Sequence, residues 1–126
     1  MKAMILAAGY GKRLLPLTKD TPKPLLKVGN KTLIERNINN LLESGFSEIV
    51  INVSHLSKLI EGHVKEKFPK NNILFSFEER PLGTGGGVLK ALNILGAEPF
   101  LLINSDIYHC ISFMNLPKTT EAAHLV

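Results

Sequence analysis

Residues 2–13 read Lys-Ala-Met-Ile-Leu-Ala-Ala-Gly-Tyr-Gly-Lys-Arg, an apolar run from Ala3 to Ala8 that stops at two glycines and two cations. A short continuous apolar run bounded by a turn signal fits a strand covered on both faces. The same stretch has a signal-peptide reading, with Lys2 ahead of a short apolar segment. That segment is at the low end for such a leader, and glycine and basic residues follow at once. A buried strand over Lys2–Ala8 is the better reading, and a cytoplasmic protein is the expectation.

Two more stretches have the same character. Glu48–Ser54 (EIVINVS) is rich in β-branched residues, and Pro99–Asn104 (PFLLIN) is almost wholly apolar. Ile73–Glu79 alternates apolar and polar residues and reads as a further strand, and Ala122–Val126 as another. Helical patterns lie between them. Leu33, Ile34, Asn37, Ile38, Leu41 and Leu42 recur at helical spacing, with Thr32 and Glu35 placed as a capping box and Gly45 as a left-handed stop. Leu56, Leu59, Ile60, Val64 and Phe68 mark a second helical face, with Glu61 and Lys65 as an i,i+4 pair and Pro69 as its end. Val88, Leu89, Leu92 and Leu95 mark a third, and residues 112–116 a helical turn. Strands alternating with helices predict an α/β fold: three layers, α/β/α, around a mostly parallel, Rossmann-like sheet.

With 126 residues the chain is one domain's worth, residues 1–126. Hydrophobic residues make up 44% and charged residues 21%, a globular balance that excludes a disordered chain. No apolar run approaches the roughly 18 residues of a membrane helix, so no membrane partner is expected. One cysteine excludes an internal disulfide framework. His55, His63, His109, His124 and Cys110 have no metal-ligand spacing. The net charge of +4 favours an anionic partner without choosing among nucleic acid, nucleotide and sugar phosphate. The chain stops on an apolar segment, which suggests a fragment of something longer.

In open parallel sheets, ligands bind beyond the carboxyl ends of the strands. Three unusual segments fall there. After the first strand comes a long stretch to Asn30, rich in glycine, proline and lysine, read as one functional loop. Its Gly9 and Gly11 let backbone N–H groups approach a phosphate, and Lys12, Arg13 and Lys23 add cationic donors. Gly-x-Gly alone also describes a plain exposed turn. The Rossmann fingerprint fails because Leu14 stands at its third glycine, and no Walker A spacing is present. The second segment, Pro81–Gly87 (PLGTGGG), reads as a glycine-rich turn ahead of a helix, suited to an anion or to simple flexibility. Glu78 and Glu79 before it fit either a base edge and ribose or a solvated strand end. The third is Asp106, after FLLIN. It suits Mg²⁺ held against substrate phosphates, or an Asx turn.

Taken in order, these residues resemble the sugar-1-phosphate nucleotidyltransferase family. The likeness rests on Leu6-Ala7-Ala8-Gly9-x-Gly11-x-Arg13-Leu14-x-Pro16-x-Thr18, on Thr21-Pro22-Lys23-Pro24-Leu25, on Pro81–Gly86 and on Asn104-Ser105-Asp106. It covers nearly all of this chain but only about the first half of a typical member. Within the family the nearest likeness is to uridylyltransferases of peptidoglycan recycling, while mannose-linked guanylyltransferases carry much the same motifs. The resemblance implies a nucleoside triphosphate (UTP or GTP) and a sugar 1-phosphate as partners, and Mg²⁺ as cofactor. It implies catalytic roles for Arg13, Lys23 and Asp106. Gly9, Gly11, Lys12, Arg13 and Lys23 would hold the phosphates, and Ala8, Gly83 and Glu78 the base. Asp106 would be a metal ligand, and Ser105, where the family usually has glycine, would face the sugar phosphate. The family's second metal-binding aspartate and most sugar contacts lie beyond position 126, so this chain alone is expected to bind nucleotide weakly and turn over poorly. Three other readings compete: a non-catalytic nucleotide-binding domain of the same fold, a basic nucleic-acid module, and a nicotinamide-dependent dehydrogenase. The lysines lack interleaved aromatics, which argues against nucleic acid.

Overall fold

The computed structural model describes residues 1–117 and 123. The strand expected over Ala122–Val126 lies outside the described residues, Ala123 excepted. Four strands form one fully parallel sheet: β1 (Lys2–Leu6), β4 (Glu48–Val53), β5 (Asn72–Phe77) and β6 (Phe100–Asn104), in the order β5-β4-β1-β6. The apolar runs therefore sit where the sequence puts them, each within two residues at either end. Strand β1 is central, pairing β4 on one side (Ile5 opposite Ile51) and β6 on the other (Ile5 opposite Ile103).

Successive side chains of a strand point to opposite faces, and here each face has its own helices. Ala3 and Ile5 of β1 and Ile49, Ile51 and Val53 of β4 pack against α1 (Leu33–Glu43) and α2 (Ser57–Lys67), through Ile34, Ile38, Leu41, Ile60 and Val64. Met4 and Val50 face the other way, onto Ala91 and Leu95 of α3 (Gly83–Leu95). The result is the expected α/β/α sandwich. The chain crosses from β1 toward β4 and β5, then returns by α3 to the opposite flank of β1. That reversal of strand order is a switch point, and it opens a crevice at the carboxyl end of β1.

The long segment after β1 is not one loop. It holds two short 3₁₀ turns, Lys12–Leu14 and Lys23–Leu25, and a small antiparallel ribbon of β2 (Lys27–Val28) and β3 (Lys31–Thr32). Local rules hold well in α1. The Glu35 N–H donates to Thr32 Oγ1 (3.2 Å) and the Thr32 N–H to Glu35 Oε2 (2.6 Å), closing the capping box. At the other end, the N–H groups of Gly45 and Phe46 bond the carbonyls of Leu42 and Leu41, the paired C-terminal closure that a left-handed glycine permits.

His63 of α2 lies 3.5 Å from Glu35 Oε2 and 3.2 Å from Thr32 Oγ1. Burial raises the Glu35 pKa, but the bonds from Thr32 and the neighbouring His63 outweigh it, and the net effect holds the carboxyl below its ordinary value. A depressed carboxylate contributes stability above its unfolded pKa and loses it as pH falls through the folded value. Glu35→Gln keeps the capping-box geometry but removes the charge at the helix N-terminus, and is therefore expected to cost about 0.5 kcal/mol at neutral pH. Melting-temperature differences from the parent should shrink toward zero well below pH 4.5.

Three helical expectations need correction. Leu59 of α2, and Leu89 and Leu92 of α3, face solvent at 48%, 71% and 39% exposure. The buried row of α3 is Gly87, Ala91 and Leu95, spaced by four. The glycine run Gly83–Gly87 is also not a turn before the helix: it is the first part of α3. Glycine costs about 1 kcal/mol per helical position, so a local reading ends the helix there. Tertiary packing overrides it, as the site makes clear.

Candidate active site

The crevice at the carboxyl ends of β1 and β6 is a cleft of about 470 Å³. Ala8, Gly9, Gly11, Lys12 and Arg13 line it from the segment after β1, and Lys23 from the second 3₁₀ turn. Gly83 and Thr84 border it from the start of α3, and Ser105 and Asp106 from the end of β6. Nine of the ten residues selected from the sequence thus meet in one place.

Gly11 is what makes the first wall possible. It holds φ +65°, and a Cβ there would come within 3.0 Å of Thr18 Cγ2. Thr18, 2% exposed, folds back to donate from Oγ1 to the Gly11 carbonyl at 2.7 Å. This clamp turns the chain so that Lys12 and Arg13 stand at the cleft. Neither has a carboxylate partner among the described residues, although Lys12 Nζ lies 5.2 Å from the Tyr10 ring centre. Two free cations beside a glycine turn form an anion site.

Lys23 differs. Its Nζ donates to Asp106 Oδ2 at 2.5 Å, with both side chains about one-quarter to one-third exposed. Pro22 and buried Pro24 fix its backbone. The backbone on either side of Asp106 is held by Asn37 of α1, itself 3% exposed. Asn37 Nδ2 lies 3.1 Å from the Ser105 carbonyl, 3.5 Å from that of Ile107 and 3.1 Å from that of Leu33. Ser105 is buried, and its N–H continues the β-ladder to the Leu6 carbonyl.

Glu78 is the exception and corrects the sequence reading. It does not line the cleft and is not solvated; it is fully buried. Its Oε1 accepts from Asn52 Nδ2 at 2.7 Å and its Oε2 from the Leu82 N–H at 2.8 Å. Asn52, 2% exposed, in turn accepts the Ala7 N–H at 2.8 Å. Gly87 covers the pair so closely that a Cβ there would lie 2.7 Å from Asn52 Nδ2 and 2.8 Å from Glu78 Oε1. The glycine run is helical because α3 can approach this pair only without a side chain at Gly87. Sequence reasoning gave no role in the site to Asn52, to Asn37 of the α1 pattern or to Thr18 of the quoted motif. A signal existed for Asn52, a lone amide inside the apolar run EIVINV.

In parallel α/β sheets a cleft at the switch point, such as this cationic, glycine-walled one, is where nucleotides and phosphates commonly bind. Comparison with known proteins narrows the class. Residues 2–124 match the nucleotidyl transferase family, and the chain belongs to it. N-acetylmuramate α-1-phosphate uridylyltransferase of Neisseria meningitidis is 47% identical over 124 residues, covering 97% of this chain and 54% of that protein. Mannose-1-phosphate guanyltransferase of Schizosaccharomyces pombe is 41% identical, over 97% of this chain and 35% of that protein. Among solved structures, HddC from Yersinia pseudotuberculosis complexed with GMP-PN superposes with a TM-score of 0.75 at 32% identity, covering 83% of this chain and 47% of that one. UDP-glucose pyrophosphorylase complexed with UDP-glucose gives 0.71 at 26% identity, covering 83% and 45%. The chain thus spans about half the length of most of these relatives and about a third of the guanyltransferase. Among the described residues, no helix is long and apolar enough to cross a membrane.

Proposed function

We propose that this chain carries the nucleotide-binding half of a sugar-1-phosphate nucleotidyltransferase. One observation supports this most: Lys12, Arg13, Lys23 and Asp106, from three separate segments, meet at one glycine-walled cleft. In the reaction, an oxygen of a sugar 1-phosphate attacks the α-phosphorus of a nucleoside triphosphate in line. The bond to the β-phosphate oxygen breaks, and pyrophosphate leaves. The attacking oxygen is already anionic, so no strong base is required. The barrier lies in bringing anions together and in the charge that builds on the leaving group, which fixed cations relieve. Lys12 and Arg13 hold the β- and γ-phosphates, with Arg13 on the leaving pyrophosphate. Lys23 reaches the α-phosphate, and Ser105 faces the incoming sugar phosphate. Ala8 and Gly83 offer backbone groups to the base.

Mg²⁺ fits the donors present. Asp106 is a single carboxylate, and no cluster of three acid, histidine or cysteine side chains exists among the described residues. That is the pattern of Mg²⁺ held by one or two carboxylates with substrate phosphates, rather than by a protein cage. Asp106 would hold the ion, which when bound neutralises phosphate charge. Asp106→Asn separates the contributions. Without metal, the substitution removes a charge facing the triphosphate and frees Lys23, so UTP or GTP should bind up to about tenfold tighter, a change of up to about 1.4 kcal/mol. With Mg²⁺, the parent's gain in affinity should largely vanish. Unchanged metal dependence in the variant would remove Asp106 from this role.

UTP with N-acetylmuramate 1-phosphate is the favoured pair, on the 47% identity to the Neisseria uridylyltransferase. On that reading the protein would act in cytoplasmic recycling of cell-wall sugars. GTP with mannose 1-phosphate is the second reading, supported by the 41% identity to the guanyltransferase and by the GMP-PN in HddC.

A further inference from the structure

We propose that Asn52 and Glu78 are a positioning pair that sets the spacing of the two backbone walls of the cleft, and that Glu78 does not read the base. The proposal rests on the nucleotidyltransferase reading of the site. Three hydrogen bonds run in series: Ala7 N–H to Asn52, Asn52 to Glu78, and Leu82 N–H to Glu78. They tie the segment that carries Ala8 and Gly9 to the one that carries Gly83 and Thr84, the two sides of the cleft. Both Glu78 oxygens are engaged within the protein, and the residue is fully buried. Each oxygen keeps a lone pair, but a fully buried carboxylate outside the cleft lining offers no surface at which a base could meet it. The Glu78 N–H is also fixed, to the Val53 carbonyl at 2.8 Å. The carboxylate is therefore held by its own backbone at the end of β5, while its oxygens hold the other two segments.

The donor and acceptor order gives a stringent test. In Glu78→Gln, the new amide must point its nitrogen at either Asn52 Nδ2 or the Leu82 N–H. Rotating Asn52 only moves the conflict to the Ala7 N–H, so one donor always faces another. In Asn52→Asp, two carboxylates face each other at the 2.7 Å now spanned by a hydrogen bond. The double substitution Asn52→Asp, Glu78→Gln restores all three bonds. The new aspartate accepts from Ala7 and from the new glutamine, whose oxygen accepts from Leu82.

The experiment titrates the 126-residue chain and the three variants with Mg·UTP and Mg·GTP, and follows amide exchange at Ala7 and Leu82. Each single substitution should weaken binding of both nucleotides alike, by about tenfold or more, and lower protection at both amides. The double variant should recover both readouts to within about threefold of the parent. A selective change in the UTP-to-GTP ratio in Glu78→Gln, or a double variant no better than the singles, overturns the proposal. If the single variants do not fold, a folded double variant supports the pairing and an unfolded one overturns it. Should the parent bind neither nucleotide, the nucleotidyltransferase reading fails, and exchange at Ala7 and Leu82 still decides whether the pair ties the two walls.

Discussion

Replacing Lys23 by alanine is expected to weaken triphosphate binding by about a hundredfold, or about 2–3 kcal/mol. Lys23 is one of three cations lining the cleft, with Lys12 and Arg13. Unlike the other two it is pre-positioned, between Pro22 and buried Pro24, with its ammonium on Asp106. Little side-chain entropy is left to lose when a phosphate arrives. Its removal also leaves the Asp106 carboxylate uncompensated beside the triphosphate, so attraction is lost and repulsion gained together. Lys58→Ala, an exposed change of equal charge on α2, is the control. Long-range charge effects are screened within about 10 Å at ordinary salt, so the control should change affinity by less than about twofold. Equal losses in the two variants would reduce Lys23 to a contributor of net charge. Calorimetric titration with Mg·UTP and Mg·GTP makes the comparison.

The second large effect concerns two glycines two residues apart in α3. Gly85→Ala should stabilise the chain by up to about 1 kcal/mol, because a Cβ there meets nothing within 4 Å and alanine is the better helix former. Gly87→Ala gains the same propensity, but its Cβ would sit 2.7 Å from Asn52 Nδ2 and 2.8 Å from Glu78 Oε1. Neither neighbour is a flexible tip, since the pair holds three hydrogen bonds, two of them buried. Overpacking and a disrupted buried bond together cost about 3 kcal/mol, which leaves a net loss of about 2. For a domain of this size, the melting temperature should fall by roughly 8 °C, against a rise of a few degrees for Gly85→Ala. Similar shifts of the same sign would mean that α3 is not packed on the Asn52–Glu78 pair.

These two glycines also mark where the sequence stops being sufficient. The four strands of the parallel sheet, the α1 capping box and the Gly45 stop depend on residues within a few positions of each other, and all are legible; the short β2–β3 ribbon was not. So were the cleft's main residues, because each motif follows a strand whose carboxyl end faces the crevice. The helical state of Gly83–Gly87 was not legible, since it depends on Asn52, 35 residues before Gly87 in the chain. The burial of Glu78 was not legible for the same reason: its partner Asn52 lies 26 residues away, and nothing local marks a carboxylate that ends fully buried. Leu59, Leu89 and Leu92 were assigned to buried faces because periodicity locates an apolar stripe without saying which edge of it the sheet covers.

The central claim is that the glycine turn and its cations bind a nucleoside triphosphate. Calorimetric titration of the chain and of Arg13→Ala with UTP, GTP, CTP, dTTP and ATP, each with Mg²⁺, tests it most directly. Saturable binding of one nucleotide per chain is expected, with UTP or GTP preferred, and a loss of about 30-fold or more in Arg13→Ala, whose guanidinium has no carboxylate partner among the described residues. Binding that is absent for all five nucleotides, or that is untouched by Arg13→Ala, would contradict it.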